Sequence, residues 1–377
     1  MPQINVLIKP ASSNCNLRCN YCFYHSIAEN RETHSYGMMD NRTLELLVEK
    51  VFACAEYSCT FAFQGGEPTL IGLEFYEKLI EFQKKYNVKN LQIYNVLQTN
   101  GMLIDAAWAR FLAEHNFLVG LSLDGPQDIH DYNRIGANHK GSFSRVMRTV
   151  QLLNNYRVEY NILCVVTANT ARHVSKIYNF YKKNNFFYLQ FIPCLDPLGE
   201  PHGGYNYSLT PEKYAIFLKR LFDEWYTDLS KGNKVSIRYF DNIVGLAMGL
   251  QPEACGMSGK CSFQFVVEAD GGIYPCDFYV IDKWHIGNIK NLSFAELATS
   301  NIVKEFIEGS QYIEHNCKLC RWENFCRGGC RREREPLAKN LPALNYHCEA
   351  YREFFEYAGP RIYELARRYS GGRKISL

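Results

Sequence analysis

Long apolar runs and a surplus of either charge are both missing from this 377-residue chain. No stretch approaches the roughly 18 consecutive apolar residues that a membrane helix needs. The first residues, MPQINVLIKP, lack the apolar core of a secretory signal. The formal net charge is +3, which is too small to indicate binding to nucleic acid or to a membrane surface. We therefore expect a cytoplasmic protein with neither kind of partner.

Low-complexity segments and internal repeats are also absent, whereas cysteine is abundant, with 15 residues. In a cytosolic chain, so many cysteines favour metal or redox chemistry over disulfides. A late basic cluster contains Arg327, Arg331, Arg332 and Arg334, and we expect it to be a solvated face.

The first half of the chain alternates apolar strand patterns with amphipathic helix patterns. The predicted strands are 5–10, 60–64, 91–98, 117–122, 160–167 and 188–193. The predicted helices between them are 40–56, 72–88, 104–115, 142–155 and 172–184. Strands separated by helices imply right-handed βαβ units and a parallel sheet. The fold class is therefore α/β, and the strand count favours a partial (β/α)6 TIM-like barrel over a flat sheet, although periodicity alone does not decide.

Polar residues follow several of these apolar strands, namely Gln64, Gln98, Asn100 and Ser122. In barrels of this kind, the chemistry lies at the carboxyl ends of the strands. For any one of these residues, the simpler interpretation is that it stabilises a turn. Because polar residues recur at the ends of several strands, however, we favour an active-site opening that they share.

The pattern changes after the sixth strand, where Pro and Gly cluster at 197–204. Helices are predicted at 211–230 and 238–250, and eight cysteines fall between 255 and 348. We divide the chain into a barrel domain at 1–234, a cysteine-rich domain at 235–348 and a C-terminal helix and tail at 349–377. The helix at 349–370 is expected to pack back onto the protein, with the final GGRKISL frayed.

The first cysteine motif, CNLRCNYC at 15–22, directly follows the first strand. Cys15, Cys19 and Cys22 can bind three irons of a 4Fe–4S cluster and leave the fourth iron open to a small molecule. A zinc site is the alternative, and it would need a fourth ligand such as His25.

This C-x3-C-x-aromatic-C motif resembles the signature of the radical S-adenosylmethionine superfamily. The resemblance implies that S-adenosyl-L-methionine chelates the open iron and that Tyr21 contacts its adenine. The segment Gly65-Gly66-Glu67-Pro68 after the second strand resembles the family's second element, which holds the amino group of the cofactor. Further implied cofactor contacts are Ser122, Arg134, which could bind the carboxylate, and Leu195, which could pack on the adenine. A surface role for Arg134 remains open.

The remaining motif cysteines follow a C-x9-G-x4-C run and a C-x2-C-x5-C-x3-C run, preceded by Cys255 and followed by Cys348. The set resembles the SPASM domain, an extension of radical enzymes that modify peptides. The resemblance implies two fully ligated auxiliary 4Fe–4S clusters, with two zinc sites as the alternative. One cluster would use Cys255, Cys261, Cys276 and Cys330, and the other Cys317, Cys320, Cys326 and Cys348. Packing is the better explanation for Cys54, Cys59, Cys164 and Cys194.

Nearly the whole chain resembles the anaerobic sulfatase-maturating enzymes, from LIKPASSNCNLRCNYCFYH through FAFQGGEP and LQTNG to YPCDFY and CRGGCRRE. This implies oxidation of a Cys or Ser side chain of a nascent sulfatase to Cα-formylglycine. A 5′-deoxyadenosyl radical would abstract hydrogen from Cβ, and an auxiliary cluster would accept the second electron. The implied partners are an unfolded or nascent sulfatase polypeptide and a reduced flavodoxin- or ferredoxin-type donor, and we expect a monomer.

Two other functions use the same cysteines. A SPASM enzyme could form thioether crosslinks in a ribosomal peptide. Many such enzymes carry an extra N-terminal peptide-binding domain, and we expect none here because the first strand begins near Met1. An electron-transfer protein would need only fully ligated clusters, which the three-cysteine site argues against.

Asp277 is the candidate general base, because the family's base maps onto the residue after Cys276. It could accept the proton of the substrate thiol or hydroxyl, although capping a turn is the commoner role of such a residue. From motif and strand position, we expect Tyr24, Gln64, Gln98 and Asn100 to contact the target peptide.

Overall fold

The computed structural model describes residues 1–336 and 342–371, so the end of the predicted frayed tail, 372–377, lies outside the described residues. The chain forms two compact units that interleave in sequence. The first unit contains residues 1–123, 130–161 and 263–306. The second contains residues 124–129, 162–262 and the described residues from Ile307 onward.

The strands are β1 Gln3–Ile8, β2 Ser58–Phe63, β3 Gln92–Thr99, β4 Leu118–Ser122, β5 Tyr160–Val166, β6 Tyr188–Pro193, β7 Ser236–Ile237, β8 Phe265–Val267, β9 Gly272–Tyr274 and β10 Gly287–Asn288. The helices are α1 Phe23–Glu29, α2 Asn41–Cys54, α3 Leu73–Tyr86, α4 Ala106–Glu114, α5 Gln127–Asn133, α6 Phe143–Tyr156, α7 Ala168–Arg172, α8 Val174–Lys183, α9 Pro211–Ser230, α10 Arg238–Ala247, α11 Phe294–Ala298, α12 Asn301–Glu308, α13 His315–Lys318, α14 Glu323–Cys326 and α15 Cys348–Tyr369. Short 3₁₀ turns lie at Pro68–Ile71, Cys255–Met257, Asp277–Tyr279, Asp282–Trp284 and Arg331–Arg334.

In the first unit, seven strands are ordered β10-β9-β8-β1-β2-β3-β4. The five from β8 to β4 run parallel, and β9 is antiparallel to both of its neighbours. Alternate side chains of β1 and β2 are buried, including Ile8 and Phe63. Because the carboxyl ends of parallel strands meet at one edge, the residues that follow β1, β2, β3 and β4 share that edge.

In the second unit, β5, β6 and β7 pair in parallel. Helix α15 packs on α9 and α10 through aromatic contacts, with Phe354 lying 5.7 Å from Phe222 and 5.8 Å from Phe240 between ring centroids. The C-terminal helix therefore packs back on the protein as predicted, and it does so inside this unit.

The α/β class and the mostly parallel sheet are confirmed, and each of the six predicted strands is present within about two residues of its predicted bounds. The helix predicted at 172–184 is present as α8, Val174–Lys183, whereas the short helix α7, Ala168–Arg172, was not predicted. Thr167 caps α7 by accepting a hydrogen bond from the Thr170 amide, and His173, at φ −117°, interrupts the helical backbone before α8.

The strand β8 was not predicted. It is only three residues long, yet it pairs with β1 in the register Val6 with Phe265, and the Lys9 amide donates to the Val267 carbonyl at 2.9 Å. A segment from the cysteine-rich part of the sequence is thereby built into the first sheet, and it carries Asp277 with it.

Candidate active site and cluster-binding loops

The cysteine loop at 15–22 is held by backbone hydrogen bonds to the segment at 133–136. The Arg18 amide donates to the Ile135 carbonyl at 2.7 Å, and the Asn20 amide donates to the Asn133 carbonyl at 3.1 Å. Within the loop, the Cys22 amide donates to the Cys19 carbonyl at 3.1 Å. The middle of the loop, on either side of Cys19, is thus fixed to the segment at 133–136.

The three thiols of this loop are half-buried and form no disulfide. Burial raises the pKa of Cys15 to about 11, partly opposed by the Leu17 amide, which donates to its sulfur. A buried thiol of this kind ionises when a metal takes the place of its proton. His25, the alternative zinc ligand, is exposed and lies 3.3 Å from the Glu29 carboxylate.

Gly66 lets the GGEP segment touch the backbone that leads into the cysteine loop. It adopts φ +55°, and a Cβ there would lie 2.3 Å from the Asn14 carbonyl oxygen and 2.8 Å from the Ser12 carbonyl oxygen. The neighbouring Glu67 amide donates to the same Asn14 oxygen at 2.8 Å. In this structure the glycine is required by the chain itself, whether or not a ligand also approaches it.

We expect Gly66→Ala to destabilise the protein by about 2 kcal/mol or more and to impair iron incorporation, because its Cβ would overlap two backbone oxygens that cannot rotate away. Thermal unfolding and iron content measure the two effects. Gly37→Ala is the matched control, since Gly37 also has a positive φ, +78°, but nothing lies within 4 Å of the position that a Cβ would take there. If Gly66→Ala and Gly37→Ala lose stability and iron to the same extent, the effect comes from the strained backbone conformation alone and not from the overlap with the Asn14 and Ser12 oxygens.

The Glu67 carboxylate is buried, and both of its oxygens accept hydrogen bonds inside the protein. One oxygen accepts hydrogen bonds from the Thr69 amide, the Thr69 hydroxyl and the Thr99 hydroxyl, at 3.0, 2.5 and 2.7 Å. The other accepts from the Asn100 amide at 2.8 Å. Burial raises its pKa, which these donors oppose. Glu67 therefore ties the GGEP segment to the end of β3 and fixes the backbone of that segment.

Asp277 lies in a buried polar group that the sequence did not fully reveal. Its Oδ2 accepts hydrogen bonds from the Tyr24 hydroxyl at 2.6 Å and from Gln64 Nε2 at 3.0 Å. Its Oδ1 accepts from Lys9 Nζ at 3.2 Å. Gln64 Nε2 also donates to the Tyr24 hydroxyl oxygen at 2.6 Å. Three predicted site residues thus meet, and Lys9 joins them.

Lys9 is the residue that sequence reasoning missed. Its ammonium lies 4.1 Å from the centroid of the Tyr24 ring, and its side chain is 3% exposed. The signal was available, because Lys9 directly follows β1 just as Gln64 directly follows β2. Burial and the charge of Asp277 raise the pKa of Tyr24 well above its usual value. The phenol is therefore a hydrogen-bond donor, and the Asp277 carboxylate is the hydrogen-bond acceptor of the group.

Aromatic packing fixes the segment that carries Asp277. The ring of Phe23, at the start of α1, lies 5.1 Å from the ring of Phe278, edge to face. Asp277 itself is 5% exposed. Phe278, the residue after Asp277, is therefore anchored on α1, the helix that bears Tyr24. As a result, the Asp277 carboxylate is held in place and shielded from solvent.

The other predicted site residues differ in whether their side chains form hydrogen bonds inside the protein. Asn100 donates from Nδ2 to Asn16 Oδ1 at 2.8 Å and accepts the Met102 amide at 2.9 Å. It therefore supports the cysteine loop. The side chains of Gln98 and Ser122 carry no hydrogen bond among the residues that the structure describes, so their polar atoms are available to a ligand.

Arg134 is buried, with its guanidinium 5.5 Å from the centroid of the Tyr21 ring. Two predicted cofactor residues therefore lie together beside the cysteine loop. Leu195 belongs to the second unit, where it is half-buried between Cys194 and Asp196.

Seven of the eight predicted auxiliary ligands lie in the second unit, where they fall into two neighbourhoods. Burial raises the pKa of Cys330, and the neighbouring thiols Cys255 and Cys261 add to this. Burial likewise raises the pKa of Cys326 to about 12, with contributions from Cys348 and Cys317. Cys320 in turn raises the pKa of Cys317. Cys276 lies in the first unit.

Cys255 and Cys261 thus act on Cys330, and Cys317 and Cys348 act on Cys326. A Cβ on Gly256 would lie 3.4 Å from Cys330 Cβ, which brings the Cys255 turn against Cys330. Of the four cysteines outside the motifs, Cys59, Cys164 and Cys194 are buried and Cys54 is half-buried, which agrees with a packing role.

The donor set suits iron–sulfur clusters better than single metal ions. Among residues 1–336 and 342–371, no group of three or more His, Cys, Asp or Glu side chains is placed to hold one metal ion. A 4Fe–4S cluster distributes its thiolates over four irons, so the thiols need not converge on one point. The buried Trp322 Nε1 and Arg334 Nε have no hydrogen-bond partner among the described residues, and both belong to the cysteine-rich segment.

The basic cluster is not a solvated face, so that prediction was wrong. Arg331, Arg332 and Arg334 are 5%, 2% and 2% exposed. Arg332 donates to the Asp196 carbonyl and Arg334 to two further carbonyls. The side chains of Arg332 and Arg334 are buried because their guanidinium groups donate to backbone oxygens of irregular loops. Separately, none of the described helices is long and apolar enough to cross a membrane.

Two family models match the chain. The radical SAM superfamily model covers residues 10–181, and the SPASM iron–sulfur cluster-binding domain model covers residues 255–321. The chain is 55% identical over 366 residues to a cysteine-type anaerobic sulfatase-maturating enzyme of Clostridium perfringens, covering 97% of this chain and 99% of that one. It is 32% identical to a serine-type anaerobic sulfatase-maturating enzyme of Bacteroides thetaiotaomicron, covering 94% and 89% of the two chains.

Solved structures give the same result. The native anSMEcpe with bound AdoMet and Cp18Cys peptide matches with a TM-score of 0.94 and 54% identity, over 98% of this chain and 100% of that one. Streptococcus suis SuiB bound to precursor peptide SuiA matches with a TM-score of 0.65 and 16% identity, over 92% and 76% of the two chains. At that identity the second match shows a shared fold alone.

Proposed function

Because this chain belongs to the anaerobic sulfatase-maturating enzymes of the radical S-adenosylmethionine superfamily, we propose that it is of the cysteine type. It converts a side chain of a sulfatase to Cα-formylglycine. The preference for cysteine is supported by 55% and 52% identity to cysteine-type relatives, against 32% to a serine-type relative. The thioether-crosslinking alternative has no comparable support, because SuiB, at 16% identity, shares only the fold.

The observation that carries the chemistry is the buried Asp277 group. Bound S-adenosylmethionine and a reduced cluster supply the 5′-deoxyadenosyl radical that removes one hydrogen atom from the substrate Cβ. The substrate thiol would then lose its proton to Asp277, and the electron that leaves the substrate would be accepted by an auxiliary cluster. The resulting thioaldehyde takes up water and releases hydrogen sulfide to leave the aldehyde.

The protein's own side chains prepare Asp277 for this proton. Tyr24 and Gln64 together occupy Oδ2, whereas, among the residues that the structure describes, Oδ1 accepts from Lys9 only. One lone pair on Oδ1 therefore remains for the substrate proton. The Lys9 ammonium compensates the carboxylate charge in a site that is nearly closed to water. Gln98, with its free amide at the carboxyl end of β3, is our candidate for contact with the target peptide.

We assign Cys15, Cys19 and Cys22 to the cluster that binds S-adenosylmethionine, with Tyr21, the GGEP segment, Ser122, Arg134 and Leu195 around the cofactor. The two auxiliary clusters retain the ligand sets given above, including Cys276. We keep the domain division at 234/235 and 348/349. We further propose a monomer in the cytoplasm that receives electrons from a flavodoxin- or ferredoxin-type protein. The partner is an unfolded sulfatase segment, and a bound Cp18Cys peptide in the related structure supports this.

Paired peptides test the proposed target. We expect a sulfatase peptide with Cys at the target position to lose its CH2–SH group to an aldehyde. The Ser peptide should react at least about 10-fold more slowly, because the cysteine thiol is more acidic than the serine hydroxyl. Mass spectrometry and an aldehyde-reactive probe measure both products. An Ala peptide is the control. Faster conversion of Ser would overturn the cysteine assignment, and conversion of neither would overturn the proposed substrate.

A further inference from the structure

Arg334 is a buried cation in the middle of the cysteine-rich segment. Its side chain is carried by the 3₁₀ turn Arg331–Arg334, which directly follows Cys330, and it is 2% exposed. Nη1 donates to the Tyr312 carbonyl and Nη2 to the Ser310 carbonyl, both at 2.8 Å. The guanidinium therefore has a fixed position and orientation.

The contacts of Arg334 reach three cysteine-bearing segments of the second unit. Ser310, whose carbonyl it binds, accepts the Cys261 amide on its hydroxyl at 2.8 Å. Ser310 and Tyr312 also lead directly into the Cys317 segment. A Cβ on Gly328, midway between Cys326 and Cys330, would lie 3.7 Å from Arg334 Nη1. Arg334 thus contacts backbone segments that adjoin cysteines of both predicted auxiliary sets.

The charge of Arg334 is not balanced by a carboxylate. Within the described residues, Arg334 makes no ion pair. Of its neighbours in sequence, Glu333 binds Asn345, and Glu335 lies 3.7 Å from Arg331. Arg334 Nε is buried without a hydrogen-bond partner among those same residues. A buried, unpaired guanidinium is unfavourable, and a cluster held by four thiolates would supply the negative charge that this site lacks.

The charge of Arg334 does not depend on pH. A guanidinium stays protonated at any pH at which proteins fold, so the positive charge is present in every state of the site.

We propose that Arg334 is a positive charge shared by the two auxiliary clusters, and that it raises the reduction potential of both. Reduction adds one electron, and therefore one negative charge, to a cluster, and a nearby fixed cation stabilises that added charge. Arg334 is a positioning residue in the proposed oxidation, because it acts on the electron acceptor and does not touch the substrate. The inference rests on the proposed assignment of the eight cysteines to two clusters.

The test compares Arg334→Gln, which removes the charge, with Arg334→Lys, which keeps it. Each full-length protein is reconstituted anaerobically, and its iron content is measured against about 12 irons for three clusters. The auxiliary clusters are then titrated with dithionite and mediators and followed by electron paramagnetic resonance. Spectra with and without S-adenosylmethionine identify the signal of the cofactor-binding cluster. Arg321→Gln is the control, because Arg321 is exposed next to Cys320 and its charge is screened by water.

We expect both auxiliary potentials to shift to more negative values in Arg334→Gln, to return towards wild type in Arg334→Lys, and to move less in Arg321→Gln. Unchanged potentials in a fully loaded Arg334→Gln protein would overturn the proposal, and a shift of only one cluster would overturn its shared character. Loss of iron in both Arg334 variants would make Arg334 a structural anchor and would also overturn it. About four irons and two zincs in the wild type would instead refute the cluster assignment itself.

Discussion

We expect the Cys19→Ala protein to form no measurable 5′-deoxyadenosine from S-adenosylmethionine and dithionite. Cys19 supplies one of only three thiolates for a cluster whose fourth iron is left to the cofactor, so no protein ligand can replace it. Loss of residues that merely support a metal ligand costs roughly 10- to 100-fold, so loss of the ligand itself should exceed about 100-fold. Chromatographic measurement of 5′-deoxyadenosine after anaerobic reconstitution gives the result.

Cys54→Ala is the matched control for this experiment. Cys54 is a half-buried free thiol at the end of α2, outside every motif, so its replacement should leave cofactor cleavage within about 2-fold of wild type. Iron content separates the two explanations of a loss, since Cys19→Ala should lack about four irons and Cys54→Ala none. Wild-type rates in Cys19→Ala would refute the assignment of Cys19 to the cofactor-binding cluster.

The strands of the first sheet could be predicted because their signal is local. In β1 and β2, buried residues alternate along the strand, and the pattern is visible in QINVLI and SCTFAF. The strand β8 carries no such signal, because three consecutive buried residues, Phe-Val-Val, fit many structures. Its place beside β1 depends on the pairing of Val6 with Phe265, two residues so far apart in sequence that no local pattern encodes it.

The candidate site was predictable where position along a strand determines it. Gln64 was found in this way, and Lys9 obeys the same rule but was overlooked, whereas Asp277 was found only through the family resemblance. Asn100 shows the limit of the rule, because a residue at the correct edge can be used to hold the cysteine loop by bonding Asn16. Which way a polar side chain turns depends on partners that lie far apart in sequence.

The burial of Arg332 and Arg334 lay beyond sequence reasoning for a different reason. Charged residues are almost never fully buried unless they are paired, so a cluster of arginines predicts a surface. Here their partners are backbone carbonyls of irregular loops, at Asp196, Ser310 and Tyr312. Backbone oxygens occur at every residue and therefore leave no trace in the sequence.

We expect Asp277→Asn to uncouple cofactor cleavage from product formation. The amide keeps the shape of the carboxylate but cannot take up the substrate proton, so formylglycine yield should fall by about 100-fold or more. Cleavage of S-adenosylmethionine should stay measurable, because the three thiolates of the first motif are unchanged. The ratio of 5′-deoxyadenosine to formylglycine, measured on one Cys peptide, should therefore rise strongly.

The substitution also removes the charge that balances Lys9, and this must be separated from loss of the base. The new amide can still accept from Lys9 through its oxygen, and the Gln64 side chain can turn so that its own oxygen accepts from the new NH2 group, so the fold should survive with reduced stability. Asp128→Asn is the control, since Asp128 forms an exposed ion pair with Lys176 at 2.6 Å and should change neither quantity. An Asp277→Asn protein with full iron content that converts the Cys peptide at the wild-type rate would show that the proton goes to another group. A protein with full iron content and a raised ratio would leave Asp277 as the base, because a merely structural defect would lower cleavage and product together.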